Sequence, residues 1–166
     1  MRPGGVACFN CDLIYDNLPD EVREDGTAAQ DAILSHWVAH VLSDNRIELA
    51  VLDTQIRPHR ARALLSRLGI TTNQIVLVEC EQEEKNERLR GPRGQAKLVN
   101  AQMENWAAYL RGQADAQGLE SIDTSRAAAT DSVARLRELV DTLLARAKRA
   151  SELAPLHKLQ MVRDWL

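Results

Sequence analysis

The chain has 166 residues, 45% of them hydrophobic and 27% charged, and a net charge of −3. That composition suits one globular domain around a single core, and the acidic balance argues against a general nucleic-acid binder. No stretch approaches the ~18 consecutive apolar residues of a membrane span, and no signal-peptide pattern opens the chain, so neither a membrane partner nor secretion is expected.

In chain order, Val6 to Cys11 is a short apolar run that predicts a buried strand. Asp16, Asn17, Pro19 and Asp20 predict a polar turn after it. Thr27-Ala28-Ala29-Gln30 matches a capping box, and Ala29, Ile33, Trp37 and Val41 then repeat at helical spacing to about Leu42. Ile47 to Leu52 is a second strand closing on Asp53. Pro58 opens the next helix, and Gly69 is its expected stop. Ile75 to Val78 is apolar on both faces, as a central parallel strand should be. The segment 81–97 is polar and rich in charge. Val99, Met103, Trp106, Leu110 and Ala114 predict a long amphipathic helix ending near Gly118. Leu119 to Asp123 reads as a fourth strand, and Val133, Leu136, Val140, Leu143 and Ala147 mark another helix. Leu153, Leu156, Leu159, Val162 and Trp165 suggest a last helical tail over 151–166.

Strand and helix alternate, so the expected fold class is α/β, with a mainly parallel sheet of about four strands flanked by helices. Binding chemistry in such folds gathers beyond the carboxyl ends of the strands. Position alone therefore picks out Asp12, Asp53, Gln55, Glu79, Asp123 and Ser125.

Cys8 and Cys11 form a CxxC, but no second pair and no closely spaced histidines complete a zinc site. His36 and His40 are four residues apart without an evident third ligand. Buried, reduced thiols in a reducing cytoplasm are the simpler expectation.

Four segments have chemical potential. Asp53 ends a buried strand, where a carboxylate holds a Mg²⁺-bound water or accepts a proton from a substrate hydroxyl. Gln55 and Arg57 add neutral and cationic hydrogen bonds beside it. The plainer reading is a polar strand end that starts the next helix. The run Lys85 to Lys97 includes Arg88, Arg90 and Arg93, with Gly91, Pro92 and Gly94 breaking regular structure. A basic loop of this kind can close over phosphates; more commonly such a run is solvated. Asp123-Thr124-Ser125 either borders a nucleotide base or caps a helix. Asp12 either meets an acceptor substrate or is an ordinary Asp before a turn.

As an ordered set, Asp12, the strand ending in Asp53, the strand leading to Arg88, Arg90 and Arg93, and the strand ending in Ser125 resemble the P-loop small-molecule kinases. That group includes adenylate, gluconate, shikimate and nucleoside kinases. The stretches Arg93-Gly94-Gln95, Met103, Trp106 to Arg111 and Asp123 to Ser125 also look like a bacterial subgroup of kinase-like or AAA-type ATP-binding proteins. The resemblance spans roughly 6–145. It implies a P-loop NTPase-like domain over 1–150, ATP and Mg²⁺ as cofactors and a small-molecule phosphoryl acceptor. It further implies catalytic roles for Asp12 and Asp53, acceptor binding by Gln55 and Arg57, a phosphate clamp of Arg88, Arg90 and Arg93, and Ser125 near the base.

The chain departs from that family in one large respect. Nowhere does it contain G-x-x-x-x-G-K-[ST], the loop whose amides and Lys hold the phosphates. In the family, the strand before this loop lies mid-sheet, between those matching 47–52 and 75–80. Without it, these two strands must pair directly or expose inner edges, which also raises the chance of a homodimer. Two accounts compete: a recorded start that falls too late, with Met1 to Gly5 ending the helix and loop after the phosphate loop, or a degenerate relative with a binding or scaffolding role. A non-enzymatic interaction domain is the alternative function.

Overall fold

Short apolar segments form four strands: β1 (Gly5–Asn10), β2 (Ile47–Asp53), β3 (Val76–Glu79) and β4 (Glu120–Asp123). Between and after them lie helices α1 (Asp20–Glu24), α2 (Gly26–Ser43), α3 (Pro58–Arg67), α4 (Gln82–Arg90), α5 (Ala101–Gln117) and α6 (Ala129–Leu153). The computed structural model describes residues 5–153. The tail expected beyond them lies outside the described residues, as do Met1 to Gly4.

The class is α/β and its strand pairs are parallel. β1 pairs with β2, placing Asn10 opposite Asp53, and β3 pairs with β4, placing Glu79 opposite Asp123. One continuous sheet is not formed: the strands make two separate two-stranded sheets. Of the two outcomes expected without a middle strand, unpaired edges on β2 and β3 are the one observed. Partial solvent exposure follows, and Val78 is 61% exposed although its strand is apolar on both faces.

The helix ends follow local chemistry. The expected capping box at Thr27 is replaced by Asp25. Its carboxylate accepts from the amides of both Thr27 and Ala28, and a charged acceptor serves two orphan donors better than one hydroxyl. Gln30 is thereby freed for a tertiary role. The polar turn expected at 16–20 is a 3-10 turn over Cys11–Asn17, followed by α1 from Asp20. Pro58 does open α3. Both α3 and α5 end in the expected glycines. Gly69 (φ 69°) and Gly118 (φ 59°) take the left-handed conformation. The amides of Ile70 and Leu119 close back on the carbonyls of Leu65 and Ala114, a Schellman closure that satisfies carbonyls otherwise left open.

Leu34, Val38, Ile56, Ala61 and Leu64 form the main core, with Leu52, Leu65, Ile70 and Ile75 packed on it. Ile75 directly precedes β3, so this core joins the two strand pairs. Arg60 on α3 also pairs with Asp31 on α2, which lowers the Asp31 carboxyl pKa. No described helix is long and apolar enough to cross a membrane.

Candidate functional site

The parallel registers bring the carboxyl ends of each strand pair level, and the candidate residues fall into two groups there. The first stands at the ends of β1 and β2. The Asn10 side chain accepts from the Asp12 amide at 3.1 Å, fixing the turn after β1. The Trp37 indole N–H donates to the Cys11 carbonyl at 3.2 Å, tying that turn to α2. Phe9 packs on Trp37 at 4.7 Å between ring centres.

This scaffold holds Asp12 near Asp53. Partial burial, and then the Asp53 charge, raise the Asp12 carboxyl above its usual pKa. Among the described residues neither carboxylate forms an ion pair. The site is thus negative and uncompensated, suited to a hard cation or a proton to be removed. The donor set fits Mg²⁺ only in part. Two carboxylates suffice for an ion that keeps water and phosphate as its other ligands, while no described group of three or more His, Cys, Asp or Glu side chains makes a closed metal cage.

Cys11 lies beneath this pair and is fully buried. Burial first, then the Asp12 and Asp53 charges, push its thiol up to about 11. A rise of that size leaves about a hundredfold less thiolate at neutral pH than an ordinary cysteine has. Iodoacetamide should therefore label exposed Cys8 early and Cys11 at least about a hundredfold more slowly, as peptide mass spectrometry would read. Early labelling of Cys11 would contradict this placement. The CxxC pair points apart in character, one thiol exposed and one buried.

Gln55 and Arg57 follow on the same loop. The Gln55 carbonyl accepts from Gln30 Nε2 at 3.4 Å, while its exposed side chain faces solvent. Arg57 donates to Gln30 Oε1 at 2.8 Å and sits 5.1 Å from the Trp106 ring centre. Trp106 in turn stacks on Tyr109 at 5.4 Å. Arg57 therefore latches β2's outgoing loop to α2 and α5, with part of its donor capacity spent on the fold. Trp106 and Gln30 are neighbours of this loop that sequence patterning assigned only to a helix face and a cap.

The second group stands at the ends of β3 and β4. Ser125 Oγ accepts from the Glu81 amide at 2.6 Å and donates to Asp123 at 2.5 Å. That bond is the main cause of the lowered Asp123 pKa. Thr124 donates to the Glu79 carbonyl through both its amide, at 2.8 Å, and its hydroxyl, at 2.9 Å. Arg88 is spent here too: it bonds Glu84 at 2.6 Å, the Thr124 hydroxyl at 3.1 Å and the Thr124 carbonyl at 2.7 Å. Of the three expected phosphate-clamp arginines, Arg88 is thus a clasp between α4 and β4. Arg90, the last residue of α4, and Arg93, in the turn after it, are exposed. Charged residues 82–90 are helical rather than loop because Glu83 and Glu84 sit in the first turn and Arg88 and Arg90 in the last, matching the helix dipole. A shallow concavity of about 350 Å³ lies beside this group, lined by Glu79, Cys80, Glu81, Gln82, Arg111 and Asp123. Its acids outnumber its one arginine, so it is no phosphate cradle.

The two groups are bridged by α3 and α5, through Arg57 on Trp106 and through His59 Nδ1 and Gln113 Oε1 at 3.1 Å. No family model, no curated protein and no solved structure matches the chain.

Proposed function

We propose that this chain is the acceptor-and-lid part of an ATP-dependent phosphotransferase acting on a small molecule. The observation that carries this reading is the uncompensated Asp12–Asp53 pair at the carboxyl ends of two parallel strands, with the Asp12 pKa raised. One carboxylate serves as base or orienter for the acceptor hydroxyl, and the other holds a water of Mg²⁺. ATP supplies the phosphoryl group, and Mg²⁺ offsets the charge that develops in transfer. The exposed Arg90 and Arg93 are the free cations of the lid. Gln55 offers its side chain to the acceptor, Arg57 orients that loop, and Ser125 fixes the strand end nearest the base.

The strand arrangement supports the same reading. Paired β1–β2 and paired β3–β4, with no pairing between β2 and β3, leave the place of one central parallel strand. The P-loop NTPase-like sheet is part of this proposal, as is the phosphate loop that would follow its middle strand. Because these 166 residues hold no such loop, the chain by itself is expected to be a poor catalyst.

Calorimetry with Mg·ATP on this chain and on an upstream-extended version tests the proposal. Weak or no binding by the chain and clear binding by the extended version are expected. An extended version that contains G-x-x-x-x-G-K-[ST] and still binds no ATP would sink the kinase reading. The second reading, a non-catalytic interaction domain, is favoured by one observation: no residue described on α6 is buried.

A further inference from the structure

Strand pairing fixes the β1–β2 pair only as far as Asn10 opposite Asp53. Asp12 and Gln55 each stand two residues beyond that level, where the ladder has ended. Side chains take over there. The Asp12 amide donates to Asn10 Oδ1 at 3.1 Å, and the carbonyl of the same peptide unit, that of Cys11, accepts from Trp37 Nε1 at 3.2 Å. A peptide unit is a rigid plane. Holding both of its polar atoms fixes the plane from which the Asp12 side chain springs.

Trp37 is a well-prepared donor. Its indole has one N–H and no acceptor. Phe9 packs on it at 4.7 Å, and His36 and His40 stand at right angles to it at 5.3 and 5.9 Å between ring centres. Gln30, seven residues earlier on α2, repeats the device: its Nε2 donates to the Gln55 carbonyl at 3.4 Å. Seven residues are about two helical turns, so both donors lie on one face of α2. The helix is itself anchored, because Leu34 and Val38 between them belong to the main core.

We infer that Trp37 and Gln30 are positioning residues: from one face of α2 they set the distance and angle between the Asp12 carboxylate and the Asp53–Gln55 segment. Each acts through the backbone it holds rather than on the acceptor. The catalytic use of this setting rests on the phosphotransfer reading, whereas the setting itself does not.

Carbon-13 NMR of the full chain at mildly alkaline pH, where titration does not enter, tests it. Trp37→Phe keeps an aromatic ring against Phe9 and removes the N–H. It should shift the Cys11 carbonyl resonance, and with it the Asp12 carboxylate resonance, under an unchanged circular dichroism spectrum. Gln30→Glu keeps an acceptor for Arg57 and removes the donor, so the Gln55 carbonyl resonance should move. Asn10 is exposed, and its variants do not endanger the fold. Asn10→Ser keeps an acceptor for the Asp12 amide and should leave the Asp12 carboxylate nearer its place than Asn10→Ala does. In a phosphate-loop-bearing version, Trp37→Phe should lower kcat and kcat/KM together by about tenfold to a hundredfold, and far less in an Asp12→Asn background. An unmoved Asp12 carboxylate in Trp37→Phe overturns the inference, since the bond would then only tie the turn to α2. Equal losses with and without Asp12→Asn overturn it too, as does full activity of Trp37→Phe. An unsubstituted loop-bearing version that transfers no phosphate sinks the kinase reading alone, and the carboxylate resonance still decides the positioning.

Discussion

The proposed phosphotransfer predicts that Asp53→Asn, in a phosphate-loop-bearing version of the chain, will lower kcat by about 10²–10⁴-fold, the usual worth of a positioned base or orienting carboxylate. The same change should stabilise the fold. Asp12 and Asp53 are like charges on adjacent strand ends, without a paired cation among the described residues, and the Asp12 carboxyl is held above its usual pKa. Between the ordinary carboxylate range and that raised value, the folded state keeps a proton that the unfolded state has lost. Stability therefore falls as pH rises through this window and levels off above it. Removing the Asp53 charge removes part of the cause, so the urea midpoint at neutral pH should rise and its pH dependence flatten. Opposite movements of activity and stability mark a site that holds strain for function. A variant that keeps full activity rejects the role of Asp53. One that loses stability would mean that Asp53 is an ordinary strand-end cap.

Much of the frame was legible because it rests on local signals. Gly69 and Gly118 stop their helices where a left-handed residue is needed, and the apolar runs at 47–52 and 75–78 are strands within a residue or two. Contacts between distant residues were not legible. Gln30 reads as the partner of Thr27 in a local box, but Asp25 takes the cap and Gln30 turns to Arg57 and the Gln55 carbonyl. Arg88 reads as a free lid cation, and only the fold brings Thr124 to it from 36 positions away. Sheet continuity is invisible for the same reason, since strand pairing depends on which edges meet. Position past a strand end does foretell which residues stand together, because parallel pairing brings Asn10 level with Asp53 and Glu79 level with Asp123. It does not tell a free side chain such as Arg93 from a committed one such as Arg88.

Leu34→Ala should cost about 2–5 kcal/mol of folding stability, the range for deleting a buried leucine from a packed core. Leu34 is 3% exposed and sits in the cluster with Val38, Ile56, Ala61 and Leu64. Leu52 and Ile75 pack against that cluster, one from β2 and one from the approach to β3. The cavity would therefore open where the two strand pairs are joined, and no hydrogen-bonded ladder between β2 and β3 shares the strain. A cost in that range is a large share of the roughly 5–15 kcal/mol that holds a domain folded. Val133→Ala removes apolar atoms from a position 64% exposed on α6, where surface substitutions change stability by only about 0.5 kcal/mol. Urea titrations of both variants, followed by circular dichroism, make the comparison. Near-equal midpoints would mean that the Leu34 cluster is not what joins the halves. A lowered midpoint with an unchanged slope for Leu34→Ala would show that both pairs unfold as one cooperative unit, because the slope follows the surface exposed in the transition.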